Sequence, residues 1–90
     1  MTIAEDNRAT RLRRLRMRSM RRGIKEMDLI LIRFADNRLS AMSDAELDGY
    51  EALLEENDQD LYAWVSGQTE PPERHAALIR QISDEFRLER

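Results

Sequence analysis

Apolar residues recur along this chain at steps of three and four, without the strict alternation of a half-buried strand, so the pattern predicts helices from end to end. The first spans about Glu5 to Met20 and carries a thin stripe of Leu12, Leu15 and Met17. Gly23 interrupts it. A second helix, about Ile24 to Asn37, places Ile24, Met27, Leu31 and Phe34 on one face, widened by Leu29, Ile30 and Ile32. It is the most apolar segment and the expected centre of the core. Leu39 to Ser43 read as a loop. Ser43 then opens a third helix, with Glu46 at capping-box spacing and Leu47, Tyr50, Leu53 and Leu54 facing inward. Asn57-Asp58 supplies a turn and cap before a short fourth helix with Leu61, Trp64 and Val65 on one side, ended by Gly67. After a linker from Gln68, Pro72 falls in the first turn of a fifth helix whose stripe is Leu78, Ile79, Ile82 and Phe86. The expected fold is all-α, a compact five-helix bundle forming one domain over residues 1–90, with residues 1–7 and 87–90 as frayed termini.

Composition narrows the function. The chain has 90 residues, 41% hydrophobic and 37% charged, which is too apolar for a disordered tail. Its longest apolar run, Leu29 to Ile32, is far short of the ~18 residues that span a bilayer, so no membrane insertion is expected. Glu5 and Asp6 sit where a signal peptide would need an apolar stretch. There is no cysteine and a single histidine, which removes disulfides, a thiol nucleophile and a histidine-rich metal centre. The chain also lacks a glycine-rich phosphate loop, a nucleophile elbow and zinc spacing, so neither catalytic residues nor a bound metal is expected and the reading is not an enzyme. His75, beside Glu73 and Arg74, reads as a surface or half-buried residue, because no nucleophile is placed to use it as a base.

The formal net charge of −3 hides an asymmetry. Residues 1–35 carry ten basic against four acidic side chains, a balance of +6; residues 36–90 carry five against fourteen, a balance of −9. Between Arg8 and Lys25 lie nine basic side chains and no acid. Arg11, Arg14, Arg18 and Arg21 follow at helical spacing and form a basic ridge. Such a block either meets an anionic partner or neutralises the acidic half of its own fold. An arginine-rich helix grips nucleic-acid phosphates or docks on an acidic protein or a pyrophosphate. All five aromatics lie at Phe34 or later, none within the block, which argues against nucleic acid.

The segment Arg21-Arg22-Gly23-Ile24-Lys25-Glu26 admits two readings. In one, Gly23 is the N-cap of the second helix and Glu26 reaches back to its N–H. In the other, a site without a side chain, flanked by opposite charges, lets another backbone approach closely and forms a docking notch. Tyr62 and Trp64 are read as core, since Leu61, Trp64 and Val65 share a helical face, with a place at the interface as the alternative.

The stretch from Leu15 to Leu29 closely resembles the succinate dehydrogenase assembly factor family, the flavinylation factors of bacteria and mitochondria. The family hallmark Arg-Gly-x-x-Glu is matched by Arg22, Gly23 and Glu26, and its second feature by Asp60, Leu61, Tyr62 and Trp64. The chain departs at Gln59, where the family often has proline, and at Met20, where relatives often carry tryptophan. The resemblance covers about residues 10–86. It implies a small five-helix bundle that binds the flavoprotein subunit of succinate dehydrogenase, and in bacteria often that of fumarate reductase, and promotes covalent attachment of FAD to it. Arg22, Gly23 and Glu26 would form the client-facing notch, Arg18, Arg21 and Lys25 would steer and hold an acidic client surface or lie near the bound FAD, and Ser19 would add a hydrogen bond. FAD would be handled on the client rather than bound stably, and the free chain would be monomeric. A bacterial cytoplasm is favoured over a mitochondrial matrix because no transit segment is evident. The alternatives are an arginine-rich nucleic-acid-binding module and an antitoxin-like regulator of a cytoskeletal partner.

Overall fold

The second helix does occupy the centre. In the computed structural model, which describes residues 3–20 and 22–88, the helices are α1 (Ile3–Arg18), α2 (Lys25–Arg38), α3 (Asp44–Leu54), α4 (Asp58–Ser66) and α5 (Glu73–Leu88). No strand occurs among the described residues. α2 packs on α1, α4 and α5, and α5 also touches α3 and α4. The core joins Met27, Leu31 and Phe34 of α2 to Leu47, Tyr50 and Leu53 of α3, Leu61 of α4, and Ile79 and Ile82 of α5.

α1 adds little apolar surface. Leu15 is buried and Leu12 partly so, but Met17 is 60% exposed and lies outside the stripe. Charge supplies the rest of the attachment. Arg8 pairs with Asp44 at 2.9 Å, Arg11 with Asp48 and with Glu51 at 3.2 Å, and Arg18 with Glu55 and with Glu51 at 3.7 Å. These pairs climb both helices in the same direction, so α1 and α3 run parallel and are laced by long side chains. Arg16 pairs with Asp36 of α2 at 2.5 Å. Much of the basic block therefore neutralises acids of its own fold. Arg14, expected on the same ridge, is exposed and has no ion pair among the described residues.

Local signals set the helix ends. Ser43 and Glu46 form the reciprocal capping box of α3, at 3.1 and 2.8 Å, and those bonds hold the Glu46 carboxyl below its usual value. Asn57 caps α4 by accepting the Gln59 N–H at 2.8 Å. Gly67 ends α4 at φ 86°, a left-handed conformation that suits glycine. Three boundaries differ from the pattern. The expected loop after α2 holds a 3-10 turn, Leu39–Ala41, because Leu39 and Met42 both bury themselves. Pro72 stands just before α5 and offers its carbonyl to the His75 N–H at 2.9 Å. The N-cap of α2 is Ile24 rather than Gly23.

Candidate functional site

The segment between α1 and α2 is tied to the turn between α3 and α4. Arg22 reaches inward, its side chain 13% exposed. Nε donates to Asp58 Oδ1 at 2.6 Å, Nη1 to the Leu54 carbonyl at 3.0 Å and Nη2 to the Glu56 carbonyl at 3.1 Å. The two carbonyls lie at and just beyond the C-terminal end of α3, where backbone acceptors lack helical partners and a cation is favoured. The planar fork of arginine reaches all three acceptors at once. The Arg22 main-chain N–H donates to Asp28 in the first turn of α2, and the Gly23 N–H donates to Asp58 Oδ2.

This geometry explains the glycine. A Cβ at Gly23 would lie 2.9 Å from Asp58 Oδ2, closer than such contacts occur. The carboxylate has little freedom to retreat, because Arg22 and the Gly23 N–H hold it. Glycine is needed for an intramolecular approach, and its N–H is bound by Asp58 rather than by Glu26, so the capping-box reading of Gly-x-x-Glu does not hold. Gly23 itself remains exposed, as do Lys25 and Glu26. Neither Lys25 nor Glu26 has an ion pair among the described residues.

The seven residues expected to face a client therefore separate. Gly23, Lys25 and Glu26 share an exposed surface at the start of α2. Arg22 does not flank this surface as a free charge; it braces it from beneath. Ser19 is corrected outright: it is fully buried, its hydroxyl donating to the Leu15 carbonyl at 2.8 Å and meeting the Tyr50 hydroxyl at 2.5 Å. Tyr50 stacks on Phe34 with ring centroids 5.7 Å apart, and burial pushes its phenol up to about 12. Arg18 is engaged with α3, and Arg21 lies outside the described residues.

His75 also departs from expectation. It is 2% exposed, its Nε2 lies 2.8 Å from Glu56 Oε2, and its ring lies 5.8 Å from that of Trp64. Trp64 and Tyr62 are half-buried against the core. Sequence reasoning missed Asp58 and Glu56 as partners of the motif. Asp58 read as part of a turn, and nothing local marks a contact across 35 residues.

Beside Glu26, a shallow groove runs between α2 and α5, with Leu29, Ile32 and Phe86 in its wall and Leu29 60% exposed. Its polar rim holds Glu26, Arg33, Asp36 and Glu85, of which Asp36 pairs with Arg16 and Glu85 with Arg38. With one arginine in its lining, the groove offers no cluster of cations for the diphosphate of a flavin dinucleotide. No helix among the described residues is long and apolar enough to cross a membrane.

Over residues 13–85 the chain matches the family described as the flavinator of succinate dehydrogenase. The chain belongs to that family. The FAD assembly factor of Acetobacter pasteurianus is 35% identical over 89 residues, covering 98% of this chain and 82% of that protein. The FAD assembly factor of Legionella pneumophila is 41% identical over 62 residues, covering 69% of this chain and 78% of that protein. A mitochondrial succinate dehydrogenase assembly factor of Meyerozyma guilliermondii is 46% identical over 61 residues, covering 68% of this chain and 45% of that protein. The chain spans about half the length of the yeast relatives it matches.

Proposed function

We propose that this protein binds the flavoprotein subunit of succinate dehydrogenase through the surface formed by Gly23, Lys25 and Glu26, and so promotes covalent attachment of FAD to that subunit. The observation that carries the proposal is the division of the family hallmark. Gly23 and Glu26 stand on the surface, while Arg22 locks the segment from beneath through Asp58 and the end of α3. An exposed segment braced in this way presents a fixed surface, and the charges of Lys25 and Glu26 orient a partner on it. The role is positioning rather than catalysis: the energy of binding holds the client in a reactive geometry. FAD belongs to the client, in keeping with the single arginine in the lining of the α2–α5 groove. The flavoprotein of fumarate reductase is a second client of the same kind, and the free protein is a monomer of the bacterial cytoplasm.

The test is direct. The purified flavoprotein subunit, free of covalent flavin, is incubated with FAD with and without this protein, and bound flavin is read by fluorescence in a denaturing gel. The expected result is a marked rise in covalent flavin with the wild-type chain and little with Glu26→Ala. Equal labelling in all three samples would remove the proposal.

A further inference from the structure

The turn that links α3 to α4 is gripped from two sides. From one side, Arg22 binds the Leu54 and Glu56 carbonyls and Asp58. From the other, α5 reaches the Glu56 side chain: His75 Nε2 lies 2.8 Å and Arg74 Nη2 2.9 Å from the same oxygen, Oε2. The two contacts differ in strength. Arg74 is 67% exposed, so water and salt compete for it, whereas the His75 side chain is 3% exposed. The His75 ring lies beside that of Trp64, with centroids 5.8 Å apart, and its main-chain N–H donates to the Pro72 carbonyl at 2.9 Å, which ties the residue to the start of α5. Glu56 thus carries a buried histidine on its carboxylate and the motif arginine on its carbonyl.

We propose that His75 is a positioning residue for the client surface: through Glu56 it fixes the α3–α4 turn against which Arg22 is locked, and so sets where Gly23 and Glu26 stand. This rests on the client-binding role assigned above. A histidine that merely filled space between α4 and α5 would contribute to stability without reaching the motif.

The experiment separates these roles in the full-length chain. His75→Phe keeps an aromatic ring beside Trp64 and removes the donor. His75→Gln restores a nitrogen the same number of bonds from the backbone as Nε2. Glu56→Ala cuts the same link from its more exposed end, in case His75→Phe folds poorly. Each 15N-labelled variant is compared with wild type for the Arg22 Nε–H and Gly23 N–H resonances, both donated to Asp58, and for affinity to the purified flavoprotein subunit. The expected result is that His75→Phe and Glu56→Ala move both resonances and weaken binding about fivefold, part of the value of one charge-assisted hydrogen bond, while His75→Gln returns both readings toward wild type. Variants that melt earlier but keep wild-type resonances and affinity would overturn the proposal. Displaced resonances together with no binding by the wild-type chain would support the positioning role and remove the client reading.

Discussion

Gly23 shows how little of a residue's reason need lie in its own neighbourhood. Its N–H and its missing Cβ both answer to Asp58. Gly23→Ala should therefore push the Asp58 carboxylate away and loosen Arg22, costing about 1–3 kcal/mol in chemical denaturation while helical circular dichroism is kept. Arg22→Ala should cost about 3 kcal/mol, because it strands a largely buried Asp58. Arg22→Lys should recover little of this, since a point charge does not reach three acceptors. Tyr50 gives a pH prediction. Its phenol is neutral in the fold and pushed up to about 12 by burial, against an unfolded value near 10. The contribution is therefore complete below about pH 10 and is lost as pH rises toward about 12, by roughly 2–3 kcal/mol. Alkaline denaturation of wild type and Tyr50→Phe should diverge in that window, the variant losing less. At this scale the sequence made the hallmark legible but not its orientation. Ser19 looked like one more polar residue of the basic segment, and only the fold reveals that it faces Tyr50.

Helix ends were legible where the signal is local. Ser43 with Glu46, Asn57, and Gly67 act where the spacing places them. Ser43→Ala should cost about 1 kcal/mol in thermal or chemical unfolding and leave client binding unchanged, because the cap lies at the far end of α3 from the Arg22 contacts. The attachment of α1 was not legible in its pairings, since complementary spacing on two helices does not say which helices meet. The charge split between the halves of the chain left open that the arginines neutralise the acidic half of the fold, without saying which acids they meet. The pairs are exposed, so α1 should detach more readily as salt rises, seen as faster amide exchange in α1 than in α2. Arg18→Glu should weaken the docking, and adding Glu55→Arg should restore part of it in a double-mutant cycle.

Across the whole molecule, hydrophobic periodicity was enough to mark five helices with α2 at the centre, because helical amphipathicity is written within a few turns of chain. The site was only partly readable, because it is assembled from the α1–α2 segment, the α3–α4 turn and the first turn of α5. Those pieces meet through hydrogen bonds between residues 18 to 36 positions apart. The architecture puts the braced parts inside and leaves Gly23, Lys25 and Glu26 exposed, the set proposed above to face the client. The most direct test of that assignment is the calorimetric affinity of the purified flavoprotein subunit for wild-type protein and for Glu26→Ala, with melting temperatures measured alongside. Weakening by about tenfold or more at an unchanged melting temperature is the predicted result. Wild-type affinity in the variant would contradict the account.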